Sequence, residues 1–399
     1  MLSMTHISPK HIHTHRQAQS LYSAIHILYW INNGFLFSFA SVYLQSFGFT
    51  TGQIGLVLGF AYTVSVFLQP AIVAVLERFR LRLNTGLVGV YLIIALLALV
   101  LLVLPLPNAA VACVMVLALA LQSAALPSIS SLAHAMDAYG LEVDFSSARA
   151  LGSVGYAIFT SIMGRVLSRI SPRLLPAMYL CTLLAMAALL CLMQTPACER
   201  REKQKRSSSS IWSCVPFVLF MAGVLSICLN HTMIDAFMLQ ILQNVGGGSG
   251  ELGVAIAIAA ILEVPVMLFY SRIRKALGVR TILLVCGWGW FVKNALTAFA
   301  PSPVMIYAAQ TLQALGYALY VPLTIDLVLK LLPEKDFLRG QALAGSAFTL
   351  GGLFATFAGG VTLDALGVSS ALRLMTLFSL IGAVLFTVTA LSKPLRKAE

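Results

Sequence analysis

The sequence predicts an all-α polytopic membrane protein of 12 transmembrane helices in two six-helix halves. Three observations carry that prediction. Hydrophobic residues fill 59% of the 399 positions and charged residues only 10%, against about 25% in a soluble domain. Mean hydropathy is +0.91. The apolar residues fall in long runs, and a helix needs about 20 of them to cross a bilayer. One polar segment then divides the runs six and six. This composition excludes a water-soluble enzyme and a disordered chain. The continuous runs exclude an outer-membrane barrel, whose strands alternate apolar and polar residues over about 10 positions.

In order, the predicted spans are 20–46, 51–76, 85–105, 108–134, 146–168, 173–194, 211–243, 251–271, 279–300, 303–331, 338–364 and 369–391. Spans 1, 7 and 10 exceed one bilayer thickness, which calls for tilt or a break inside them. Residues 1–19 form a polar cytoplasmic tail without a cleavable signal peptide; His11, His13 and His15 alternate in it, with no further ligand type nearby. Residues 20–194 form the first helical domain and 211–391 the second. Between them, 195–210 contains a basic run, 199–206, followed by four serines, the composition of a solvated cytoplasmic linker. Residues 392–399 form a cytoplasmic tail.

Basic residues set the orientation. Of 26 Lys and Arg, 21 fall on the side of the two tails. Only Arg165, Arg169, Arg173 and Arg373 fall on the other, and Lys293 lies within a helix. The excess places both termini in the cytoplasm of a multi-pass plasma (inner) membrane protein. The net charge of +12 is therefore loop charge, and no nucleic-acid partner is expected. The seven cysteines include no C-x-x-C and mostly lie in apolar stretches, so they read as small buried hydrophobes. No metal cluster, phosphate loop or nucleophile triad is visible, so neither enzyme chemistry nor a metal or cofactor is expected. The expected partners are a small-molecule substrate, protons as the coupling ion and the lipid bilayer, with the chain a monomer.

The halves resemble each other. A shift of 198 residues brings Asn32 onto Asn230, Gln45 onto Gln243, Gly48 onto Gly246 and Arg82 onto Arg280. A shift of 192 brings Asp144-Phe145 onto Asp336-Phe337. Two parallel six-helix repeats joined by a long connector point to the major facilitator fold, in which the halves rock about a substrate held near the bilayer midplane.

Charge inside a span costs roughly 2.5–3.5 kcal/mol on insertion scales, so it needs a partner, water or a function. Asp235, Glu263, Lys293 and Asp326 stand out. Glu263 and Lys293, of opposite sign on consecutive helices, make a proton-coupling pair, because a moving cation changes the proton affinity of a carboxylate. The other reading is a structural ion pair. Asp235 joins the proton-coupling candidates. Asp326 is open to pairing with Lys330 one turn on, or to reaching the interface. Asn32, Asn33, Asn230 and His231 cluster in the first span of each half, where they face either a cavity or another helix. Gln313, Tyr317 and Tyr320 share one helical face, as do Arg149, Ser153 and Tyr156. The second face joins a cation, a hydroxyl and a ring, which suits a ligand bearing a ring or a carboxylate. Arg149 also has a snorkelling interfacial reading. Gly152 and Gly155 allow close helix approach there.

The run Asp144-Phe-Ser-Ser-Ala-Arg149-Ala-Leu-Gly152-Ser153-Val-Gly155-Tyr156 resembles the helix 4–5 signature of the lactose permease and phenylpropionate permease branch of the major facilitator superfamily. Gln69-Pro70 and Glu263-Val-Pro265 are similar too. The resemblance implies that Arg149 contacts substrate and that Tyr156 is the ring-stacking aromatic, with Ser153 beside it. It implies a substrate-contacting acid at Glu263 and a proton-coupling cation at Lys293. Ser130 stands where that branch has an acid, and Gln313 and Gly316 stand where the lactose permease has a histidine and a glutamate. Lactose is therefore not the expected substrate, and Glu263 or Asp235 must carry the proton. The expectation is secondary active transport of a small organic solute (a sugar, nucleoside or aromatic acid) by proton symport. Asn32, Asn33, Arg149, Ser153, Tyr156, Asn230 and Gln313 bind substrate; Asp235, Glu263 and Lys293 couple the proton. The alternatives are a proton-driven drug or metabolite exporter of the same fold, against which the lack of proline in 146–168 argues, and a non-transporting membrane sensor or scaffold.

Overall fold

A computed structural model describes residues 14–137, 140–193, 195 and 211–396. His11, His13, Cys198 and the basic run of the linker lie outside these residues. The described chain is all-helical. The helices are α1 (His15–Asn33), α2 (Ala40–Gln45), α3 (Thr51–Arg78), α4 (Leu83–Val103), α5 (Asn108–Asp137), α6 (Phe145–Leu167) and α7 (Leu175–Leu192). They continue as α8 (Val215–Ala236), α9 (Met238–Asn244), α10 (Ser249–Ala298), α11 (Pro303–Thr311), α12 (Tyr317–Leu331), α13 (Phe337–Leu366), α14 (Val368–Ala390) and α15 (Lys393–Arg396). Among the described residues, 11 helical stretches are long and apolar enough to cross a membrane. One of them, α10, is 50 residues long and holds two spans joined at Gly278, whose φ of 73° and ψ of 158° interrupt the helix. That restores the expected 12.

The long spans are broken rather than simply tilted. Span 1 passes from α1 through a π-helical turn, Gly34–Ser38, into α2. Span 7, expected as one helix over 211–243, starts at Val215 and breaks at Phe237 between α8 and α9. Span 10 tightens into a 3₁₀ turn, Leu312–Ala314, between α11 and α12. The expected continuous face of Gln313, Tyr317 and Tyr320 is therefore divided, with Gln313 in the turn and both tyrosines in α12.

The chain forms two compact units. One comprises the described residues up to Phe47, Phe60–Phe159 and the stretch from Ile170 to Thr195. The other comprises Gly48–Gly59, Thr160–Arg169 and the described residues from Ile211 onward. The first packs α1 against α5 and α7, and α4 against α5 and α7. Phe35 anchors it, with ring centroids 4.6 Å from Phe159 and 5.4 Å from Tyr179. In the second, α8 packs on α13 and α14, and α10 on α11, α12 and α14. Its core gathers Phe217, Phe220, Trp290, Tyr320 and Phe386. Within that unit, small residues let backbones meet: a Cβ added at Gly253 would stand 2.3 Å from the Thr160 carbonyl oxygen. Outer faces carry exposed Phe67, Leu96, Ile162 and Leu377, costly against water but not against hydrocarbon. Cys113, Cys181 and Cys191 are exposed among these apolar faces, against the expectation of burial, while Cys228 and Cys286 are buried.

Candidate functional site

In the first unit, α6 carries Arg149, Ser153 and Tyr156, and the structure brings the three onto one side as their spacing requires. Arg149 Nη1 donates to Ser153 Oγ at 2.6 Å. The guanidinium lies over the Trp30 ring, 3.9 Å from its centroid, a geometry in which the ring quadrupole holds the cation. Gly152 explains how the bulky indole fits, because a Cβ there would stand 2.6 Å from Trp30 Cδ1. The Tyr156 hydroxyl lies 2.6 Å from Ser38 Oγ in the π-helical turn. The result is a half-buried guanidinium, three hydroxyls and two aromatic rings, with the buried Trp30 Nε1 lacking a partner among the described residues. Such a set offers charge-assisted hydrogen bonds to a carboxylate and apolar contact to a ring. Asn32 and Asn33 are not hydrogen-bonded to this set among the described residues; Asn32 is fully buried with its amide atoms unpartnered. Trp30 escaped the sequence reading, although Gly152 opposite was a signal for a large partner.

The second unit holds the charged residues. Lys293, on the later half of α10, has 0% of its side chain exposed. Its Nζ donates to Gln313 Oε1 at 2.5 Å and lies 3.8 Å from Asp235 Oδ1. Gln313 Nε2 donates to Glu263 Oε1 at 3.0 Å. Gln313 therefore ties the expected pair together as its bridge. Asp235 stands two residues before the break at Phe237, and its side chain is 49% exposed. Its other oxygen, Oδ2, is 3.4 Å from His231 Nε2 one turn earlier. A buried ammonium is tolerable only with paired counter-charge and hydrogen bonds, and Asp235, Gln313 and Glu263 supply them. The i, i+4 spacing of His231 and Asp235 was the signal that linked this histidine to the set.

Two other candidates sit elsewhere. Asn230 donates to Thr376 Oγ1 at 3.4 Å and Ser379 Oγ at 3.1 Å, and Asn294 donates to the same Ser379 Oγ at 2.7 Å. Asn230 thus joins α8 to α14 inside the core, the role of a polar cross-link between helices. Asp326 accepts from Tyr270 at 2.6 Å and pairs with Arg274 Nε at 2.9 Å, so among the described residues its cation is Arg274 and not Lys330.

Comparison with known proteins settles the family. The MFS_1 like family matches residues 20–374. The chain is a member of the MFS_1-like family. Curated relatives of this family member include the uncharacterized transporter YwbF of Bacillus subtilis (strain 168), 25% identical over 244 residues, 60% of each chain. The chain thus spans three-fifths of that relative's length. The probable 3-phenylpropionic acid transporter of Escherichia coli (strain K12) is 25% identical over 282 residues, 68% of this chain and 72% of that one. The nucleoside transporter NupG superposes with a TM-score of 0.76 at 13% identity, covering 94% of this chain and 99% of that one. A bacterial homologue of the human lysosomal transporter Spinster gives 0.69 at 13% identity, covering 96% and 98%. These likenesses give the MFS_1-like member its major facilitator fold.

Proposed function

We propose that the chain is a proton-coupled symporter that imports a small organic solute, acting as a monomer in the plasma (inner) membrane with both termini cytoplasmic. The observation that carries this reading is Lys293: a fully buried cation wired directly to Asp235 and through Gln313 to Glu263. Two acids sharing one base leave room for one proton, and intramembrane charge sets of this kind mark ion pathways. Arg149, with Ser153, Trp30 and Tyr156, would take the solute. A guanidinium stacked on a ring favours an aromatic carboxylate, in keeping with the name of the Escherichia coli relative. Protonation of Asp235 or Glu263 and loading at Arg149 would precede rocking of the halves and release inside.

The test is proton uptake by proteoliposomes under an imposed pH gradient. Sugars, nucleosides and aromatic acids, among them 3-phenylpropionate, are added in turn. Alkalinisation outside on one addition is expected. Silence across the panel, from folded protein, would overturn symport. A second reading is export: the multidrug efflux pump LfrA of Mycolicibacterium smegmatis (strain ATCC 700084 / mc(2)155) is 26% identical over 161 residues, 40% of this chain and 31% of that one. Drug sensitivity of a deletion strain distinguishes it.

A further inference from the structure

We infer that the coupling proton rides on Asp235, and that His231 is the positioning residue that holds this carboxyl. This rests on the proton-coupled reading above and chooses between the two acids it leaves open.

The two oxygens of Asp235 have separate neighbours. Oδ2 faces His231 Nε2 at 3.4 Å, and Oδ1 faces Lys293 Nζ at 3.8 Å. An imidazole carrying its hydrogen on Nε2 presents a donor to Oδ2 whether the carboxyl is ionised or neutral, and holds the ionised form more strongly. An ammonium has no acceptor, so Lys293 gains from Oδ1 chiefly while Oδ1 is charged. A proton arriving from water forms an O–H bond on the Asp235 carboxyl, and no other covalent bond changes. Lys293 then loses a counter-ion and keeps Gln313 Oε1, behind which stands Glu263. Glu263 remains the standing negative charge.

The surroundings fix this arrangement. His231 is buried, and its ring lies 5.4 Å from that of Trp290 and 6.0 Å from that of Tyr317. Its Nδ1 is buried with no partner among the described residues, so Nε2 is the edge that carries a contact. Half the Asp235 side chain is exposed, which gives the proton a way in, whereas Glu263 is buried. The charged or titratable groups facing His231 and Asp235 are each other and Cys228 on the same helix, Lys293 from α10 and Tyr317 from α12. Helices α13 and α14 bring Asp364 and Arg373 to other places, on the Gly52 N–H and over the Phe299 ring.

The experiment is a pH titration of the full chain in lipid vesicles, without solute, read by the infrared C=O band of a protonated carboxyl. Asp235→Asn should remove the titrating band and Glu263→Gln should retain it. His231→Phe should raise its midpoint by about one pH unit, because the lost N–H favours the ionised carboxylate over the neutral acid. His231→Gln, which restores an N–H donor, should bring the midpoint back toward wild type. A band lost in Glu263→Gln and kept in Asp235→Asn would overturn the assignment. An unmoved midpoint in both His231 variants would make His231 a packing residue. Uptake of 3-phenylpropionate or uridine into the same vesicles is scored separately. Failure of acid-driven uptake with the Asp235 band intact would count against symport and leave Asp235 as the titrating group.

Discussion

Single side chains divide between ligand, charge and glue. Arg149 is held by one hydrogen bond and one ring face. Arg149→Lys keeps the charge but loses the planar stack and the fork, so the apparent KM for the transported solute should rise about tenfold, some 1.4 kcal/mol, without loss of folded protein. Vesicle uptake kinetics check this. Ser379 accepts from two buried amides, Asn230 and Asn294. Ser379→Ala orphans the Asn294 donor and leaves Asn230 with Thr376 Oγ1, and should cost about 1–3 kcal/mol, read as a lower melting temperature in detergent. What the sequence made legible here was residue type and spacing. Arg149, Ser153 and Tyr156 meet as their three- and four-residue intervals require. For Asn230 the sequence left cavity and helix contact both open, because a polar side chain in an apolar helix looks the same whether it faces a cavity or a neighbour. Gln313 was expected to bind substrate, yet it bridges Lys293 and Glu263, a contact made by residues 20 and 50 positions apart. No local pattern encodes such a contact.

At the scale of the helix, the repeat is written into the backbone. Phe39 and Phe237 are 198 residues apart, the interval of the internal repeat, and both leave the helical region in the same way, at φ −106°, ψ 10° and φ −113°, ψ 22°. Gly48 and Gly246, also 198 apart, take φ of 80° and 84°. Excess length was thus the readable sign of a break, while its position followed from the fold. The junction in α10 was less legible. A polar loop was expected over 272–278, but the helix runs through these residues until Gly278. Arg272, Arg274 and Lys275 are ordinary helix formers, and only a single residue turns the chain. At φ 73°, ψ 158°, Gly278 occupies a region essentially closed to residues with a Cβ. Gly278→Ala should cost about 1–3 kcal/mol, visible as a lower melting temperature and, on the helix ends flanking the junction, faster hydrogen exchange.

For the whole molecule, hydropathy and repetition made the fold class readable because each span must satisfy its own backbone in lipid. Orientation rests on the same physics. With 21 basic residues on the side of the termini, a fluorescent protein fused after Glu399 should fluoresce and alkaline phosphatase fused there should be inactive. The reverse pattern would invert the proposed orientation. The charged side chains of the two sites also have an electrical meaning. On the symport reading, Asp235 and Glu263 cancel Lys293 and Arg149 in formal charge, so return of these emptied sites would be indifferent to membrane voltage. Voltage then reports the cargo. A monocarboxylate entering with one proton moves no net charge. A neutral solute entering with one proton moves one, worth about 2.3 kcal/mol per 100 mV, so current recorded across a solid-supported membrane sorts the two classes of cargo before any has been named.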